Sequence, residues 1–175
     1  MENQRTHSSP PSQSLELIGD GPSFRETLCS MLSDAKCFTD FSQADIEILA
    51  KHMKAFRASK DTAIIREGKR NGFLCVLVEG HVVVYKEDGQ GNVKPLSSIM
   101  KGRIFGEVSL IDDLPSSASV IADTEATIVL MSRENFRQCI HDHPALGVRL
   151  LHLIASMLSA RLRSTSGQLI DYVHV

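Results

Sequence analysis

The chain of 175 residues lacks an excess of either charge, a long apolar run, a paired-cysteine motif and any cluster of histidines. Lysine and arginine number 19 against 21 aspartate and glutamate, a formal net charge of −2. A nucleic-acid surface normally carries a clustered basic excess, so that class is disfavoured. No stretch approaches the roughly 18 apolar residues of a membrane helix, so no membrane contact is expected. Nothing near Met1 joins a basic start to a compact apolar segment, which argues against a secretory signal. Cys29, Cys37, Cys75 and Cys139 show neither C-x-x-C pairing nor metal-ligand spacing, as expected for a reduced, cytoplasmic protein. Cys75, inside an apolar run, reads as a small core residue. Only His81 falls among the strand-like segments, and His141 and His143 straddle a helix break, so no metal site is expected. With no G-x-S-x-G elbow either, neither an enzyme nor a resident cofactor is expected.

What is present falls into three zones. Residues 1–22 are rich in Ser, Pro, Gln and Asn and read as a disordered tail. Helical spacing begins at Phe24, Leu28, Met31 and Leu32. Ser42, with Asp45 three residues on, opens a second helix whose apolar face is Ile46, Leu49, Ala50 and Met53. Short apolar runs then alternate with glycine-bearing turns at 62–66, 73–79, 81–86, 95–100, 119–122 and 127–131. This pattern predicts an antiparallel barrel or jelly roll over about 55–132. Ser132 can cap a helix over 133–141. Pro144 opens a last helix to about Arg163, followed by a short tail at 166–175. That helix carries two apolar seams, Leu146, Leu150, Leu153, Met157, Ala160 and Leu151, Ile154, Leu158, Leu162. Either both seams lie against the barrel, or one does and the other meets a partner helix, including a second copy of the chain.

Residues 105–122 read Phe-Gly-Glu-Val-Ser-Leu-Ile-Asp-Asp-Leu-Pro-Ser-Ser-Ala-Ser-Val-Ile-Ala. They resemble the phosphate-binding cassette of the cyclic-nucleotide-binding domain family, and the resemblance extends over about 37–163. It implies a mainly β fold with flanking helices: a jelly-roll barrel (double-stranded β-helix) with N-terminal helices and a long C-terminal helix, spanning 23–165. The segment from Phe136 through Pro144 to Leu150 is similar to the helices that close the sensor domain of catabolite-activator-type regulators. About a dozen residues follow Arg163, too few for the helix-turn-helix of those regulators, so a stand-alone sensor without direct DNA binding is expected.

By position, the resemblance assigns ligand contact to Phe105, Gly106, Glu107, Val108, Ser109, Ser116, Ser117, Ala118 and Ser119, with Glu107 accepting from a ribose hydroxyl. Arg161 and Thr165 would serve as a lid. The family's phosphate-gripping arginine is replaced by Ser116. An arginine fork contributes about 1.5–3 kcal/mol to an anion's binding, so its loss should weaken a cyclic monophosphate by tenfold or more. Asp112 and Asp113 would add repulsion, while Lys101, Arg103, Arg161 and Arg163 are the nearby substitute cations in sequence. Three readings stay open. The first is a sensor of cAMP or cGMP that signals to a protein partner through the last helix. The second is a ligand-independent interaction module. The third is a domain for another anion such as cyclic di-GMP.

Overall fold

The computed structural model describes residues 15–170. It divides into two units, one through Arg137 and one from Gln138 onward. The first holds two antiparallel sheets. A five-stranded sheet has the order β1 (Leu15–Gly19), β2 (Lys54–Ala58), β9 (Ala126–Ser132), β4 (Phe73–Glu79), β7 (Ile104–Phe105). A four-stranded sheet has the order β3 (Ala63–Ile65), β8 (Ser119–Ala122), β5 (Val82–Glu87), β6 (Val93–Ile99). Cys75, Leu77, Ile128 and Leu130 from the first meet Ile65, Val82, Val120 and Ala122 from the second in one core. This is the antiparallel jelly roll with flanking helices that the turn-punctuated pattern predicts.

β4 is apolar at successive positions rather than alternating, because both of its faces are covered. One faces the inter-sheet core. On the other side α1 (Gly21–Ser33) touches β2, β4 and β9 and packs on α2 (Gln43–Lys51). Leu28, Leu32 and Leu49 are completely buried, each contributing about 1.5–3 kcal/mol. Ser42 and Asp45 form a complete capping box, with Asp45 N–H donating to Ser42 Oγ at 3.2 Å and Ser42 N–H to Asp45 Oδ2 at 3.0 Å.

The expected tail over 1–22 is corrected from Leu15 onward; residues 1–14 lie outside the described residues. Leu15 and Leu17 pair with Ala58 and Phe56 of β2, so a segment too short to show a period is recruited as an edge strand. β6 is also an edge, exposed along most of its length, with Pro95 opposite Tyr85 at a register shift.

Ser132 Oγ accepts from Asn135 N–H at 3.2 Å and caps α4 (Arg133–Asp142), as expected. The second unit is mainly α5 (Pro144–Ile170), which runs beyond the expected end at Arg163 and through the first half of the expected tail; 171–175 lie outside the described residues. Its two seams are corrected too. Leu146, Leu150 and Ile154 share the buried side, while Val148, Leu151 and Leu162 are exposed. With Ala155, these last form an outward apolar stripe at helical spacing. Pro144–Gly167 is also long and apolar enough for a bilayer crossing, with a mean hydropathy of 1.4 in its most apolar window. That exceeds the sequence expectation. Leu146 and Leu150 of this helix are buried, and Arg149, Arg161 and Arg163 stand on exposed positions.

Candidate functional site

β7 anchors the cassette. Its two residues pair with β4, Phe105 opposite Cys75 and Ile104 opposite Val76. Phe105 lies in the inter-sheet core. The chain then turns at Gly106, whose φ of +84° is left-handed. A Cβ there would lie 2.7 Å from the Phe73 carbonyl oxygen, so both conformation and space demand glycine. This turn starts α3 (Glu107–Asp112). Glu107, in its first turn, is only 1% exposed, where a carboxylate benefits from the peptide N–H groups of the helix start. Its Oε2 accepts no hydrogen bond among the described residues, although the residue is engaged elsewhere. Burial, and secondarily the Glu107 carboxylate, push the Cys75 thiol well above its ordinary range.

The return limb, 114–119, lies beside the turn at 66–71. Ser116 N–H donates to the Lys69 carbonyl and Gly68 N–H to the Ser116 carbonyl, both at 2.9 Å. The Ser116 side chain is buried within this loop. Its hydroxyl accepts from Asn71 Nδ2 at 3.2 Å and lies 3.3 Å from Ser109 Oγ, which itself donates to the Asn71 carbonyl at 2.8 Å. Ser109 and Ser116 are thus committed to holding the cassette together. Val108 and Ser117 are exposed, Ala118 is half-buried, and Ser119 Oγ accepts from Glu67 N–H at 3.0 Å.

Asp113 was expected to repel an anion. It is instead paired, with Arg133 Nη1 on its carboxylate and Arg70 Nη1 donating to its carbonyl at 2.8 Å. Asp113 adopts a left-handed φ of +62°. Arg133 also donates through Nη2 to the Ser109 carbonyl, and its N–H to the Gly72 carbonyl at 2.7 Å. A Cβ on Gly72 would lie 2.6 Å from Arg133 Nε, so the guanidinium occupies the space that a side chain there would need. Asp112 turns back to accept from Leu114 N–H at 2.9 Å. On the opposite side, Lys86 of β5 donates to the Ser117 carbonyl at 2.7 Å and pairs with Glu67. Glu67 Oε2 accepts from Glu87 N–H at 3.1 Å, and these contacts, the lysine's first, hold its carboxyl below the usual range.

Asn71, Glu67, Lys86, Arg70 and Arg133 were not picked out as site residues in the sequence. Glu67 and Lys86 had signals: a turn glutamate next to glycine, and a lysine in step with Val82 and Val84. Lys101, Arg103, Arg161, Arg163 and Thr165 are all exposed.

A two-sheet roll bearing a glycine-started helical turn and a proline-led return limb defines a jelly-roll domain with a helical cassette set between its strands. The chain belongs to the cyclic nucleotide-binding domain family, whose sequence model matches residues 55–143, just over half of it. It is 27% identical over 143 residues to a CRP-like cAMP-activated global transcriptional regulator of Mycobacterium tuberculosis, covering 82% of this chain and 62% of that protein. It is 30% identical over 92 residues to the cAMP-dependent protein kinase regulatory subunit of Aspergillus fumigatus, covering 53% of this chain and 22% of that one. The chain thus spans less than two thirds of either relative. A crystallised cyclic nucleotide-binding domain from Methylobacillus flagellatus superposes with a TM-score of 0.79 at 26% identity, over 93% of this chain and 91% of that one.

Proposed function

We propose that the chain is a cytoplasmic, non-catalytic sensor domain that binds a cyclic nucleotide in the barrel and reports occupancy to a protein partner. The observation that carries this reading is Gly106 delivering a buried Glu107 to the start of α3 in a chain of this family. The Glu107 carboxylate accepts from the ribose, and the backbone around Ser117 and Ala118 faces the phosphate. cAMP and cGMP are the proposed ligands, with cyclic di-GMP the less favoured alternative. The ligand is a signal rather than a cofactor. The stripe of Val148, Leu151, Ala155 and Leu162 is the partner surface, for a second copy or another helix.

Calorimetric titration with cAMP, cGMP and cyclic di-GMP, with Ser116→Arg in parallel, tests the reading. Saturable micromolar binding by the natural chain supports it. A second reading, an interaction module without ligand, is favoured by the Ser116 hydroxyl being already bonded to Asn71. Silence in the natural chain with binding regained in Ser116→Arg would select that second reading. Silence in both would remove the nucleotide from the account.

A further inference from the structure

β5 and β8 pair from Val82 opposite Ala122 to Tyr85 opposite Ser119, and then part. Two residues further on, the same register would set Glu87 against Ser117. The backbone groups there are met by side chains instead: Glu87 N–H donates to Glu67 Oε2, and the Ser117 carbonyl accepts from Lys86 Nζ. Strand alternation puts Lys86 on the side of Val82 and Val84, which pack into the inter-sheet core. Its ammonium therefore leaves the inner face of the sheet at the mouth of the barrel, beside the cassette residue that follows Ser116. Glu67 arrives from the far side of β8, its own N–H bonded to Ser119 Oγ at 3.0 Å. The ion pair thus spans the return limb of the cassette, with side chains 48% exposed for Lys86 and 25% for Glu67.

Around the cassette Arg133 and Arg70 are both held on Asp113, and Arg66 in the adjoining turn is exposed. The arginine position itself is Ser116, turned into its own loop. We propose that Lys86 is the cation of this site, supplying from β5 the charge that the cassette lacks, and that Glu67 is a built-in anion occupying it until a ligand phosphate arrives. This rests on the nucleotide reading above. Lysine suits the exchange because its ammonium is a point charge on a flexible stem that can change partner without a fixed fork geometry. Glu67 can give up the ammonium while keeping the Glu87 N–H. An anionic ligand must then compete with an internal carboxylate, whereas an uncharged nucleoside need not.

The test is calorimetry on the full chain with cAMP and with adenosine, which keeps base and ribose without the charge. The variants are Glu67→Gln, Lys86→Gln and Lys86→Arg, each checked for an unchanged melting temperature. Glu67→Gln is expected to tighten cAMP by about tenfold, the scale of one charge-assisted bond, and to leave adenosine unchanged. Lys86→Gln should bring cAMP down to the adenosine level, and Lys86→Arg should restore the difference. If Glu67→Gln and Lys86→Gln move cAMP and adenosine alike, or move neither, the proposal is overturned and the nucleotide reading survives. If no variant and no natural chain binds either compound, both fall together.

Discussion

Arg133→Ala should loosen the cassette more than any other single surface change. The guanidinium is only 15% exposed and joins three segments: the Asp113 carboxylate, the Ser109 carbonyl in α3, and the backbone at Gly72. A hydrogen bond to a charged group contributes about 1.5–3 kcal/mol. The Asp113 side chain is 60% exposed and keeps Arg70 at 3.7 Å, so water and Arg70 recover most of that half. The Ser109 bond is shielded and has no replacement. The net loss is about 2 kcal/mol, with part of it from the left-handed Asp113, which nothing else holds as firmly. For a chain of this length that is a fall in melting temperature of about 4–8 °C. Arg133→Lys reaches one partner but not both, and should recover under half. Calorimetric melting combined with amide hydrogen exchange over 109–114 reads both effects. An unchanged melt together with unchanged exchange in that stretch would refute the fastening role of Arg133.

Gly106→Ala combines left-handed strain with a Cβ 2.7 Å from a backbone carbonyl, so a loss of at least about 2 kcal/mol is expected in urea unfolding. Asp88 in the β5–β6 turn is held down to about 2 by Lys94 and by the N–H groups of Asn92 and Gln90. Its stabilisation is complete above the ordinary aspartate value and disappears as pH falls through about 2, so Asp88→Asn should flatten the acid limb of a stability–pH profile. Burial raises Cys37 to about 12 and Cys75 well above its ordinary range, whereas Cys29 is less strongly affected. At pH 8 iodoacetamide should label Cys29 first and reach Cys75 only on unfolding, as mass spectrometry of the digest would report.

The strands at 73–79 and 119–122 and both helix-capping serines were legible because their signals are local: continuous apolar runs, glycine turns, a hydroxyl before a helix. β2 was missed because Lys-Ala-Phe-Arg-Ala carries little strand propensity; its pairing with both β1 and β9 supplies what its side chains do not. α5 continues through Ser164, Thr165, Ser166 and Gly167, where propensity argued for an end, because elongating an existing helix is easier than starting one. The cassette was readable as a motif, yet the orientation of Ser116 was not. It depends on Asn71, 45 residues away, and on a turn that only the folded sheet brings alongside. Likewise the neutralisation of Asp113 depends on Arg133, 20 residues later.

The free margins of the two sheets bear on how the protein behaves when crowded. β7 is two residues long and β3 three, β1 is broken by a register shift, and the seven-residue β6 carries Lys94 and Pro95 beside an irregularity of its own. Each is a poor template for strand addition, since short length, bulges, lysine and proline all frustrate a growing ladder. Concentrated solutions should therefore resist fibril growth along the sheets.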